Sequence, residues 1–322
     1  MSRRTILLDD RAHEYRRTTG RLGVIMLVFL ALFSGLGYVG DLLLVVIFPY
    51  TTGKSFTVIS ELIDMTVYLL SFMLPVLVYR LLSPRRERIP MMLEPRLPRH
   101  LWLVLPAAIA LVYCTAIANS FFVRALGLSG VSSSAPAVDA LQPHEAILLY
   151  MATALVPAFC EEFLFRGLIL PELLPFGRTT AVLGSAILFG LMHQSFDQML
   201  YATVAGIVLA LVAMESGSIW GGVIIHLFNN LLTVVDEVLI RSLPYQIEMI
   251  LYAILEILVV GGGLVCLAIL IVRRQKHPQK PVMAAGAPPE GGALRGFFSP
   301  LMIAFWVVCI GEMILWTIAN LM

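Results

Sequence analysis

Apolar stretches of roughly 20 residues, broken by short polar punctuation, recur along the whole chain, and about 20 such residues are what one helix needs to cross a bilayer core. The pattern predicts helices at about 22–48, 57–82, 101–125, 144–174, 179–195, 198–214, 217–239, 247–272 and 299–321. Nine spans is the working count and eight the alternative, so the fold class is all-α, a polytopic transmembrane helical bundle. The first span follows a segment bearing Arg3, Arg4, Arg11, Arg16, Arg17 and Arg21. It is too long for a signal peptide and lacks a small-residue cleavage site, so it is expected to remain as an anchor.

Basic residues sort the loops by side, since Lys and Arg collect on the cytoplasmic face. The N-terminus, the Pro84–His100 loop with Arg85, Arg86, Arg88, Arg96 and Arg99, the turn at Arg178, and the group Arg273, Arg274, Lys276 and Lys280 fall on one side of the predicted order. The Ser/Ala-rich stretch from Ser129 to Pro143 falls on the other and is poor in basic residues. The expected layout is an integral, multi-pass protein of the cell membrane with a cytoplasmic N-terminus. Its divisions run at about 1–21 (cytoplasmic segment), 22–143 (N-terminal helices and loops), 144–240 (a core of four helices), 241–276 (one helix), 277–298 (a flexible cytoplasmic linker rich in Pro, Gly and Ala) and 299–322 (a last helix). No repeat of fixed period stands out.

Composition narrows the partners. Of 322 residues 59% are hydrophobic and 13% charged, with mean hydropathy +0.89, whereas a soluble domain carries about a quarter charged residues. A soluble enzyme is therefore close to excluded. Lys and Arg number 22 against 21 Asp and Glu, a net charge of +1, so nothing suggests a nucleic-acid partner; the bilayer is the expected surroundings. Cys114, Cys160, Cys266 and Cys309 stand singly in apolar runs and read as buried thiols.

Against this apolar background the few charges within spans carry the information. The run from Pro157 to Gly167 in the fourth helix holds Glu161, Glu162 and Arg166. Leaving all three unpaired would cost on the order of 8 to 10 kcal/mol, so they need partners. Glu162 and Arg166, four apart, share a helix face and can pair, whereas Glu161 is turned about 100° away. A carboxylate facing a partly dry cavity has the makings of a general base. The bland alternative is a buried ion cluster that fixes helix packing.

Two further helices add imidazoles. Phe189 and His193 share a face of the fifth helix, and His226 and Asn230 a face of the seventh, with Gly221 and Gly222 allowing close helix approach. A lone intramembrane His is as often a packing residue as a ligand, so depth is the check. Counted from the cytoplasmic ends at 1.5 Å per residue, Glu161 lies about 20 Å in, His193 about 21 Å and His226 about 14 Å. Helix tilt accommodates the spread, so Glu161, His193, His226 and Asn230 are expected to line one cavity open toward the cytoplasm. Two mechanisms suit them. A divalent metal such as zinc, held by Glu161, His193 and His226, would activate a bound water. Without metal, Glu161 helped by His193 would deprotonate a water while His226 and Asn230 hold the oxyanion. Spacing alone does not choose, because the two-histidine helix signature of soluble zinc proteases is absent.

Glu161-Glu162-x-x-x-Arg166, Phe189-x-x-x-His193 and His226-x-x-x-Asn230, in that order on separate helices, resemble the three motifs of the CPBP intramembrane proteases. That group includes the type II CAAX prenyl endopeptidases and the Abi proteins linked to bacteriocin processing and self-immunity. The likeness covers about 145–235, a four-helix core that includes the sixth helix. It implies hydrolysis of a peptide bond in a membrane-associated substrate, prenylated or of bacteriocin or signal type. Glu161 would activate water, Arg166 support the glutamate pair that includes Glu162, and His193, His226 and Asn230 complete the site. The motif positions show no departure. The flanking helices lie outside the likeness, so substrate choice does not carry over.

Other polar residues read more blandly. Cys160 faces about 100° from Glu161 and is expected to be a structural thiol rather than half of a Cys/His dyad. Glu256 and Glu312 read as packing or lipid-interface residues, Asp236 and Glu237 as solvated, and Asp197 as orienting a polar neighbour in the turn after His193. Two rival functions stay open: a catalytically silent binding or immunity protein, and a proton-coupled transporter. The transporter predicts Gly/Pro-broken helices in symmetric halves, which the sequence lacks.

Overall fold

The computed structural model describes residues 3–47, 54–84, 88–125, 143–277, 282–283, 285–286 and 296–321. The 129–142 part of the Ser/Ala-rich stretch, Arg85 and Arg86, most of the linker including Lys280, and the side chains of Asp197 and Glu237 fall outside the described residues.

Helices α1 (Arg3–Ile47), α2 (Lys54–Leu82) and α3 (Leu101–Ala125) lead into α4, a continuous helical run over 143–176. There follow α5 (Arg178–Met192), α6 (Phe196–Ser216), α7 (Trp220–Ser242), α8 (Tyr245–Lys276) and α9 (Pro300–Leu321). Strands are absent from the described residues. Seven helical stretches are long and apolar enough to cross a membrane, and Arg178–Met192 and Pro300–Leu315 are shorter apolar helices. The protein is an integral, multi-pass, all-helical bundle.

Three local features depart from the expected layout. First, α1 begins at Arg3 rather than near residue 22. Its first turns carry Tyr15, Thr18 and Thr19 on a buried face, with the Tyr15 ring 4.7 Å from that of Phe176 at the end of α4. The arginine-rich segment is thus an amphipathic extension docked on the core. Second, the described pieces of the linker hydrogen-bond to the bundle. Met283 N donates to Met214 O at 3.2 Å, Gly286 N to Leu174 O at 2.9 Å, and Thr19 Oγ1 to Gly296 O at 2.8 Å. The first satisfies a carbonyl at the end of α6 that an isolated helix leaves open, and the second adds to the bond that Leu174 O already accepts from Gly177 N. Third, α4 is not uniformly α-helical: wide π turns at Met151–Leu155 and Phe165–Ile169 bracket an ordinary α segment, Val156–Leu164.

The main core packs apolar residues of α1, α2, α4, α5, α6 and α9, among them Leu22, Phe72, Leu164, Phe189, Ala210 and Phe305. Small residues allow a close approach between α5 and α6: a Cβ on Gly206 would lie 2.9 Å from Ala186 Cα, and one on Gly190 would lie 2.6 Å from the Met199 carbonyl oxygen. With 15 residues α5 rises about 22 Å, short of the roughly 30 Å hydrocarbon core. The chain therefore reverses early, through Gln194 at φ 51°. Irregular backbone at membrane depth is tolerated where it lines a cavity, and this turn does.

Candidate functional site

The α segment of α4 between the π turns presents the acidic pair. Glu161 is 4% exposed, and Glu162 and Arg166 are fully buried. Charges this deep persist only when paired and hydrogen-bonded. Arg166 Nη1 donates to Glu162 Oε1 at 2.7 Å and Nη2 to the Gly206 carbonyl at 3.2 Å, while the guanidinium carbon sits 4.3 Å from the centroid of the Phe189 ring. One planar cation thus ties α4 to α5 and α6, a task suited to the Arg fork.

The same glutamate oxygen reaches the third motif. His226 Nδ1 lies 3.3 Å from Glu162 Oε1, an acceptor, so Nδ1 carries the proton and Nε2 is left to face elsewhere. Nε2 lies 3.9 Å from Glu161 Oε2. Gly222, one turn before His226, makes room: a Cβ there would overlap Glu162 Oε2 and lie 3.2 Å from its Cδ.

Glu161 points the other way from its neighbour. Its Oε1 accepts a hydrogen bond from the Tyr68 hydroxyl of α2, while Oε2 is buried without a hydrogen-bond partner. A buried acceptor left open in this way calls for a partner such as a water or a substrate group. The 3.9 Å gap to His226 Nε2 admits a water about 2.8 Å from each atom.

These groups open on a cavity of about 410 Å³ walled by α1, α2, α3, α4, α5, α6 and α7. Glu161, His193, His226 and Asn230 line it, whereas Glu162 and Arg166 stand behind. His193, the first residue past α5, has its Nδ1 2.8 Å from the Phe189 carbonyl, so its Nε2 is the ring atom left for other partners. Asn230 accepts from the Asn229 amide at 3.3 Å through Oδ1, which leaves its own N–H groups to donate. Of the two imidazoles on the cavity wall, His226 is the one beside both glutamates.

The metal ligand set does not assemble. Among the described residues no group of three or more His, Cys, Asp and Glu side chains converges to hold a metal ion. As placed, Glu161, His193 and His226 do not fit a zinc site.

Sequence reasoning passed over Tyr68, Gln198, Tyr201 and Asn229, all on the cavity wall. Tyrosines and amides are unremarkable within helices, and the only available signal was their position on helices flanking the motifs. Cys160 is buried in the apolar core, and Glu312, exposed on α9, pairs with Gln194. Glu256 and Asp236 lie off the cavity wall.

Residues 143–232 match the family model described as type II CAAX prenyl endopeptidase, Rce1-like. The match runs from the start of α4 into α7 and leaves α1, α2, α3, α8 and α9 outside it. No curated protein and no solved structure gives a significant match.

Proposed function

We propose, from the match of residues 143–232 to the type II CAAX prenyl endopeptidase model, that the protein is an intramembrane endopeptidase of the CPBP/CAAX kind whose Glu161 activates water against a peptide bond. One observation carries the reading: Glu161 Oε2 is buried, unpartnered and aimed into the cavity, 3.9 Å from His226 Nε2. A water between them donates one hydrogen to each. As its oxygen attacks the carbonyl carbon, Glu161 takes the proton and the carbonyl oxygen becomes an oxyanion, for which the Asn230 amide is the available donor. The protonated Glu161 then passes that proton to the leaving nitrogen as the C–N bond breaks. Glu162 holds His226 in the Nδ1–H form, and Arg166 offsets the charge of Glu162.

The substrate in this proposal is a membrane-associated peptide or protein, with a prenylated C-terminal peptide as the first probe. The basic groups near Arg99 and Arg273 support a cell-membrane orientation in which these ends and the N-terminus face the cytoplasm. No metal step is invoked, because the donors do not converge. The test is Glu161→Ala in full-length protein, inserted normally: cleavage of a reporter peptide falls by at least about 10²- to 10⁴-fold, the worth of a positioned general base. Wild-type turnover in that variant would sink the assignment. Comparing membrane-peptide profiles with active and inactive protein identifies the natural substrate.

A further inference from the structure

The hydrolytic scheme leaves one contact of Glu161 without a role. Tyr68 comes from α2, far in sequence from the 143–232 match, yet its hydroxyl donates to Glu161 Oε1. The phenol is gripped by other aromatic rings. It stacks on Phe72 at 4.7 Å and meets Phe33 edge-on at 6.1 Å, and Phe29 braces Phe72 at 4.8 Å. A ring packed in this way aims its O–H in one direction, and an O–H buried at membrane depth costs free energy unless it finds an acceptor.

The two oxygens of a carboxylate are chemically equivalent until something distinguishes them. Glu161 is faced by Tyr68 from α2, by Cys160, Glu162 and Arg166 within α4, by His193 across the cavity, by Tyr201 from α6 and by His226 from α7. Among the described residues, Tyr68 is the one whose hydrogen bond falls on a Glu161 oxygen. Without it, the carboxylate could rotate about its last bond, exchange its oxygens, or swing toward His226 and shut out the water. With Oε1 engaged by Tyr68, Oε2 is the oxygen left without a hydrogen-bond partner and facing the water.

We propose that Tyr68 is a positioning residue for peptide hydrolysis: it pins Glu161 through Oε1 and so presents Oε2 to the water in front of His226. This inference rests on the protease reading. It makes α1 and α2 part of the catalytic apparatus, with Phe29, Phe33 and Phe72 as the clamp on the tyrosine.

The experiment uses the full-length protein in detergent micelles and a farnesylated, quenched-fluorescence CAAX peptide as probe. Tyr68→Phe keeps the ring and deletes the donor. Its kcat falls about 10- to 100-fold, the cost of a loosely held base, while KM changes less than about twofold. Tyr113→Phe, which removes a hydroxyl 3.2 Å from Tyr252 between α3 and α8, leaves both unchanged. A Tyr68→Phe enzyme with wild-type kcat overturns the proposal. Infrared spectroscopy gives a readout independent of turnover: the carboxylate band lost in Glu161→Gln shifts in Tyr68→Phe, and an unshifted band overturns the proposal equally. If Tyr68→Phe fails to fold, difluorotyrosine at position 68 keeps the shape and strengthens the donor, and the same band must shift there. A wild type that leaves every peptide intact counts against the protease reading alone, since the infrared band still decides whether Tyr68 holds Glu161.

Discussion

A single methyl group at Gly222 tests whether the buried ion pair depends on the close passage of α7 over α4. In Gly222→Ala the new Cβ overlaps Glu162 Oε2 and lies 3.2 Å from Cδ and 3.7 Å from Cγ, so the carboxylate must retreat by on the order of 1 Å to reach ordinary contact. Such a shift is normally cheap at the end of a flexible side chain. Here Oε1 of the same carboxylate is held at 2.7 Å by Arg166 and at 3.3 Å by His226, and the group cannot move without lengthening both. The loss of a buried, charge-assisted hydrogen bond is worth about 1.5 to 3 kcal/mol, rising to about 3 to 5 kcal/mol if the pair separates. Unfolding in mixed micelles of sodium dodecyl sulfate and dodecyl maltoside, followed by tryptophan fluorescence, measures the stability. Gly262→Ala, whose Cβ meets nothing within 4 Å, is the reference and is expected to stay within about 1 kcal/mol of wild type. In a Glu162→Ala background the Gly222→Ala penalty disappears, since coupling is confined to groups in contact. A Gly222→Ala protein as stable and as active as wild type would refute the claim that Glu162 is locked in place.

The remaining predictions concern the charge behind the cavity and the metal question. Arg166→Met leaves Glu162 buried without its cation and destabilises the protein by about 3 to 5 kcal/mol, whereas Arg166→Lys, which keeps the charge but loses the fork to Gly206, costs about 1 to 3 kcal/mol; equal thermal midpoints for the two variants would contradict the geometry at Arg166. Dialysis against 1,10-phenanthroline leaves the cleavage rate unchanged and purified protein carries less than one zinc per chain; activity lost to chelation and restored by zinc would show that the donors rearrange around a metal.

Much of this was legible in the sequence, and the parts that were not share a physical cause. Helix positions from α2 onward followed from runs of apolar residues, because the bilayer demands a fixed length of such chain. The start of α1 was hidden because a segment dense in arginine reads as solvated, while the buried stripe through Tyr15, Thr18 and Thr19 that docks it is short and partly polar. At the site, Glu161, Glu162, Arg166 and the two histidines stood out because ionisable groups are costly within a span. Tyr68 and Tyr201 went unnoticed because a tyrosine buries most of its ring favourably and draws no attention until its hydroxyl is seen against a carboxylate. The contact between His226 and both glutamates depended on α7 crossing α4 at Gly222, and crossing geometry is not written in the spacing of either helix.

The π turns of α4 have a consequence for the chain as a text that can be edited. Each wide turn holds one residue more than an α-helix would need, as the bonds from Val156 N to Met151 O and from Leu170 N to Phe165 O record. Removing that residue would straighten the helix and turn everything beyond it by about 100°. With Met151–Leu155 before the glutamates and Phe165–Ile169 beginning just after them, the acidic pair sits in a frame set off from both ends of its helix. Insertions or deletions elsewhere in α4 could be absorbed at these turns, while a one-residue change between Val156 and Leu164 would re-aim Glu161 away from the cavity with no way to compensate.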